Sequence, residues 1–197
     1  MHKKSYYIIN AITAYRLIAA PFLLILILND NVEIFRWLLA FSFFTDAIDG
    51  FLARKYKTVS RFGARLDSIG DDLTVVVGLI GLITVQKDFV LDHLYLLIIL
   101  FCLFAVQAFL AIRKYGKTTS FHTYLAKTAA VVQGVFLILS FFFPEPLYLL
   151  FYLAIGITMI ELVEEIILVL ILPHWKINVK GIYWVMKSKG KVGSTEK

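Results

Sequence analysis

The stretch Phe43–Gly78 reads FFTDAIDGFLARKYKTVSRFGARLDSIGDDLTVVVG and holds five aspartates and five basic residues. It lies in a chain of 197 residues of which 60% are hydrophobic. Asp46, Asp49, Asp67 and Asp71 stand inside or beside apolar runs, where an unpaired charge is expensive. Something must offset them.

Soluble domains are roughly 45–50% apolar. The excess here, with a mean hydropathy of +0.81, implies surface that faces lipid. Outward from the aspartate stretch, six apolar runs each approach the ~20 residues needed to cross a bilayer. They cover residues 8–28, 34–55, 64–86, 90–112, 124–143 and 147–172. Breaks fall at Asn29–Asn31, Lys57–Arg61, Gln86–Asp88, Gly116–Ser120 and Pro144–Pro146, all carrying turn or helix-stop chemistry. The expected fold is all-α, an integral membrane domain of six transmembrane helices over residues 1–186. Residues 175–186, with Trp175, Tyr183 and Trp184 among lysines, read as an interfacial amphipathic segment. Residues 187–197 read as a basic disordered tail. No cleavable signal peptide and no internal repeat are expected. The single cysteine, Cys102, gives no disulfide framework.

Six spans put both termini on one side. Sorted by that topology, eighteen of the twenty Lys and Arg residues share the face of the termini, leaving Arg36 and Lys87 opposite. The positive-inside rule then places N and C termini and the aspartate stretch at the cytosol. The net charge of +6 reads as cytosolic loops near anionic lipid, with no nucleic-acid partner.

Asp46 and Asp49 are three residues apart, Asp67 and Asp71 four apart, so each pair shares a helix face. Asp46 lies about ten residues before the end of its run and Asp71 a similar distance into the next. At ~1.5 Å per residue, an antiparallel hairpin brings all four to one level. Four carboxylates at one level need a positive counterpart. Oxygen donors in that number suit Mg²⁺, Mn²⁺ or Ca²⁺ rather than zinc, and a pair of such ions suits phosphoryl chemistry. Two other readings stand beside this one. The aspartates can be helix-end charges in salt bridges. They can also mark an ion path in a divalent-cation transporter, or belong to a non-catalytic membrane protein. Runs 1, 4 and 5 lack central carboxylates, and the four aspartates crowd one side, which disfavours a through-path.

Asp46-x-x-Asp49-Gly50-x-x-Ala53-Arg54, eight residues, then Gly63-x-x-x-Asp67-x-x-x-Asp71 resembles the signature of the CDP-alcohol phosphotransferase family, also called CDP-alcohol phosphatidyltransferases. Upstream, Asn10, Thr13, Arg16 and Pro21 resemble the start of bacterial members. The resemblance implies transfer of a phosphatidyl group from CDP-diacylglycerol to a small alcohol, with release of CMP, in phospholipid synthesis. By the family pattern Asp46, Asp49, Asp67 and Asp71 hold two Mg²⁺ or Mn²⁺ ions, and Asp71 is the catalytic base. Asp49, Gly50, Ala53, Arg54, Gly63 and Asp67 form the CDP site. A homodimer is implied by resemblance alone, and a bacterial inner membrane fits the compact form, with the site facing the cytosol.

For the acceptor, Arg16, Arg113 and Lys127 are candidates to bind a phosphate; the alternative reading of Arg113 and Lys127, as of Lys114 and Lys117, is topology and anionic-lipid contact. Phosphatidylglycerophosphate synthases resemble the chain most closely and point to glycerol-3-phosphate. Yet their D-P-x-A-D-K is here Asp67-Ser68-Ile69-Gly70-Asp71-Asp72, and of G-K-x-K-T-x-x-Q only Lys127 and Gln133 remain. Inositol phosphate, serine and phosphatidylglycerol stay as alternatives. Glu161, Glu164 and Glu165 can line the same cavity and pair with Arg16 or Lys127, or form an interhelical salt bridge.

Overall fold

The structure, a computed structural model, describes the backbone of residues 3–56 and 61–192 and the side chains of Tyr15, 17–45, Ile48, Gly70 and 73–187. Its elements are α1 (Lys3–Leu28), α2 (Val32–Tyr56), α3 (Arg61–Val85), α4 (Lys87–Asp92), α5 (Leu94–Tyr115), α6 (Tyr124–Ser140), α7 (Tyr148–Ile171) and α8 (Ile182–Val192). Among the described residues the one extended pairing is an isolated parallel bridge between Ser120 and Ile177. The all-helical expectation therefore holds, and the six expected runs correspond to α1, α2, α3, α5, α6 and α7.

The breaks follow local chemistry. After α1, Asp30 takes a left-handed conformation (φ 57°), and Asn31 N–H reaches back to Leu26 C=O at 3.0 Å. That contact satisfies a carbonyl the helix leaves open. Gly116 closes α5 in the same way, with φ 71° and its N–H on Ile112 C=O.

Four boundaries differ from the sequence reading. The fourth run is split: α4 ends at Asp92 and α5 begins at Leu94. His93 sits between them, its ring buried beside Tyr148, Phe151 and Tyr152 and its Nε2 2.9 Å from Tyr152 Oη. Helix α6 ends at Ser140 rather than at 143, because Phe141 and Phe142 N–H turn to the carbonyls three residues back. Residues 175–180 are not helical, since Asn178 and Val179 N–H bond to Ser120 and Phe121 C=O. Finally, residues 187–192 continue α8 rather than starting a disordered tail; residues 193–197 lie outside the described residues.

The chain forms two compact units, Met1–Val90 with Leu137–Pro146, and Leu91–Phe136 with Leu147–Lys197. In the first, α1 packs on α2 and α3, and α2 touches α3. Ala19, Ala20, Leu23, Leu26 and Ile27 give α1 a buried stripe at helical period. Phe35 and Leu39 answer from α2, Val77 and Leu82 from α3. In the second unit α5 packs on α7, and α7 touches α8. Ala111, Phe121, Leu168, Val169, Leu172 and Val179 form its core.

Among the described residues one helix, Leu94–Tyr115, is long and apolar enough by itself to cross a membrane. The apolar parts of α1 and α3, Leu17–Leu28 and Leu73–Val85, are shorter, as is α6. Helix α7 has the length, but carries Glu161, Glu164 and Glu165.

The tight fit of Phe35 and Phe141 against Gly81 has a testable cost. A Cβ at Gly81 would stand 2.8 Å from Phe35 Cζ and 3.0 Å from Phe141 Cζ. Gly81→Val should lose roughly 1–3 kcal/mol by overpacking. Gly156 on α7 has nothing within 4 Å of its Cβ position, so Gly156→Ala should gain about 0.5–1 kcal/mol of helix stability. Thermal unfolding in detergent should show the two variants shifting in opposite directions.

Candidate active site on the paired helices α2 and α3

The register of α2 against α3 follows from two contacts. Phe35 meets the Gly81 position, and Leu39 Cδ1 lies 3.8 Å from a Cβ at Gly78. The next positions inward along the two antiparallel helices are Ser42 and Thr74, at 1% and 3% exposure. The spacing along α2 is four, then three: 35, 39, 42. The same alternation next reaches Asp46 and Asp49. Along α3, the positions 81, 78 and 74 continue to Asp71 and Asp67. Continued at this spacing, the register would pair position 46 with 71 and position 49 with 67. The seam that buries Phe35 and Leu39 at one end carries the aspartate positions at the other.

The side chains of Asp46, Asp49, Gly50, Ala53, Arg54, Gly63, Asp67 and Asp71, with those of Arg16 and Asp72, lie outside the described residues. Their backbones belong to α2, α3 and α1. Among the described residues no group of three His, Cys, Asp or Glu side chains is placed to hold a metal.

Two observations fit an ion at the aspartate level. The donor set is all oxygen, which suits a hard divalent cation. Ser42 lies one turn before Asp46, and its hydroxyl is buried without a hydrogen-bond partner among the described residues; leaving such an atom unsatisfied costs about 1–3 kcal/mol. Thr74, its register partner, spends its own hydroxyl on Gly70 C=O at 2.8 Å. The shallow groove lined by Glu33, Ile34, Trp37, Leu38 and Phe41 is mainly apolar and offers nothing for a diphosphate.

The second unit places the remaining candidates. Arg113 and Lys127 are exposed, and Lys127 Nζ lies 5.7 Å from the centre of the Tyr124 ring. Lys114 is not free for an acceptor, because its Nζ bonds Val169 and Leu170 C=O at 2.8 and 3.0 Å. It closes the end of α7 with Tyr115, whose hydroxyl donates to Val169 and Leu172 C=O. Gln133 donates to Thr158 Oγ1 at 2.6 Å.

The glutamates of α7 do not pair with Lys127. Among the described residues the ion pair is Glu33–Arg36, at 3.1 Å. Glu165 is buried and accepts hydrogen bonds from Gln107 Nε2 at 2.7 Å and Thr119 Oγ1 at 2.8 Å. Glu164 Oε1 accepts the Ile182 N–H at 3.1 Å. These carboxylates tie α5, the loop after it and α8 to α7. The sequence reading missed Gln107 and Thr119. The available signal was Gln107 itself, a polar amide within a helix long and apolar enough to cross a membrane.

Removing one member of this tie should be costly. Gln107→Leu takes a donor from a buried carboxylate and should lower stability by about 1–3 kcal/mol. Glu165→Gln keeps a hydrogen-bonding group there and should cost less. Unfolding midpoints of the two variants in detergent check the ranking.

The profile of the CDP-alcohol phosphatidyltransferase family matches residues 6–173, running through both units. A CDP-diacylglycerol–glycerol-3-phosphate 3-phosphatidyltransferase of Rickettsia typhi is 30% identical over 81% of this chain and 85% of its own. One of Haemophilus influenzae is 37% identical over 40% of this chain and 44% of its own. The CDP-diacylglycerol–inositol 3-phosphatidyltransferase of Saccharomyces cerevisiae is 38% identical over 41% of this chain and 36% of its own. The match thus spans less than half of the last two relatives. No solved structure matches the chain significantly. With the aspartate signature seated on two paired helices and the profile covering most of its length, the chain belongs to the CDP-alcohol phosphatidyltransferase family.

Proposed function

We propose that the protein transfers a phosphatidyl group from CDP-diacylglycerol to glycerol-3-phosphate, releasing CMP. The observation that carries this is the seating of Phe35 against Gly81 and of Leu39 against Gly78; continued at helical spacing, that register would set Asp46 opposite Asp71 and Asp49 opposite Asp67. The family match supports the donor. The relatives named for glycerol-3-phosphate support the acceptor, one of them over 85% of its length. Inositol-type acceptors remain the second reading, favoured by the yeast relative.

Asp46, Asp49, Asp67 and Asp71 would hold two Mg²⁺ or Mn²⁺ ions. When bound, such ions offset charge on the diphosphate and on the departing CMP. Asp71 takes the proton of the acceptor hydroxyl as its oxygen bonds to the phosphatidyl phosphorus and the bond to CMP breaks. Gly50, Ala53 and Gly63 leave room for the cytidine, and Arg54 orients a phosphate or carboxylate. Arg16, Arg113 and Lys127 are proposed to bind the acceptor phosphate.

The protein is proposed to be integral to a bacterial inner membrane, as a homodimer, with one functional domain over residues 1–186. Five of the six proposed spans are supported by helix length, and α6, of 17 residues, is shorter. At ~1.5 Å per residue, α1, α2, α3, α5 and α7, of 22 to 26 residues, each exceed the ~30 Å bilayer core. Charge asymmetry supports the orientation. The many exposed apolar side chains, Ile18, Trp37, Phe101, Phe109 and Leu149 among them, fit a lipid environment.

Purified protein in nanodiscs containing CDP-diacylglycerol should release CMP with glycerol-3-phosphate, and chelation should stop it. Asp71→Asn should lower the rate about 10²–10⁴-fold while donor binding persists. CMP release only with inositol or serine would move the acceptor. Unchanged release in Asp71→Asn would remove the base assignment.

A further inference from the structure

We propose that the cap of the second unit, formed by residues 116–123, 175–181 and the start of α8, docks on the headgroups of anionic phospholipid. This rests on the membrane reading of α5.

The cap is built rather than loose. Phe121 is fully buried in the unit's core. Val179 N–H bonds Phe121 C=O at 2.7 Å, and Tyr124 N–H bonds Lys180 C=O at 3.3 Å. Gly181, at φ 143°, turns the chain into α8, whose first N–H is held by Glu164. On this frame Tyr183 and Met186 stay more than 60% exposed and Trp184 44%. Trp184 lies 5.4 Å from the Tyr124 ring.

Two lysines of the cap meet aromatic rings rather than carboxylates. Lys117 Nζ stands 3.5 Å from the Trp175 ring centre, and Lys187 Nζ 5.7 Å from that of Tyr183. Trp175 is pinned by its indole N–H on Thr118 C=O. The glutamates that could neutralise these lysines are spent inward, Glu165 on Gln107 and Thr119, Glu164 on Ile182. Positive charge is thus left outward beside exposed aromatic surface, the chemistry of a membrane interface.

Continuity selects the occupant. The cap begins at Gly116, one residue after the end of Leu94–Tyr115, the helix long and apolar enough to cross a bilayer. A surface so placed meets lipid headgroups before it meets a soluble partner, and anionic headgroups match its charge.

Hydrogen exchange of the full chain in nanodiscs tests this. Discs of phosphatidylcholine would be compared with discs doped with phosphatidylglycerol. Amides of 116–123 and 182–187 should exchange about tenfold more slowly in the anionic discs. High salt should remove the difference, and so should Lys117→Gln with Lys187→Gln. Equal rates in both discs would overturn the proposal. So would equal protection in neutral discs from glycerol-3-phosphate or from added RNA. Cys102, exposed on α5, reports the membrane reading separately. It should resist a water-soluble maleimide in either disc. If Cys102 is shielded and the cap is indifferent to lipid charge, the docking proposal alone fails. If Cys102 reacts freely, the membrane reading fails.

Discussion

The fit of Phe35 and Leu39 on α2 against Gly81 and Gly78 on α3 is the constraint on which the proposed site depends. Phe35 fits over Gly81 and Leu39 over Gly78 because neither glycine carries a Cβ. It is the end of the Phe35 ring that reaches Gly81, so side-chain fit rather than backbone contact sets which positions of the two helices face each other. Continued along both helices, this register would put Asp46 opposite Asp71 and Asp49 opposite Asp67, so the fit in the apolar half of the hairpin bears on the proposed acidic half.

That link explains why charge is tolerated in so apolar a chain. Separated aspartates would each need a partner. Gathered at one level, as proposed, they would make a site that a divalent ion could neutralise. Glutamates on α7 solve the same problem differently. Glu165 is held by a neutral amide and a hydroxyl, and Glu164 by a backbone N–H. The aspartates are proposed to serve the chemistry, whereas Glu164 and Glu165 stitch helices together.

Most of the helices were legible in the sequence. Apolar runs and their Asn, Gly and Pro breaks are local signals, and α1, α2, α3 and α7 lie close to their expected bounds. The aspartate spacing is also local, so the candidate site was readable before any register was known. What was not readable depends on distant partners. His93 interrupts a continuous apolar run because Tyr152, 59 residues on, bonds its ring. Gln107 finds Glu165 across 58 residues. The lysine-rich end looked unable to fold, yet α8 starts because Glu164, 18 residues earlier, accepts its first N–H. Composition carries none of these pairings.

The most direct test of the shared acidic level is Mn²⁺ binding to the purified protein, followed by electron paramagnetic resonance. The register predicts that Asp46→Asn on α2 and Asp67→Asn on α3 each weaken binding of the same ions, so that a change on either helix releases Mn²⁺ from both. Binding that survives either substitution unaltered would contradict a site shared between the two helices.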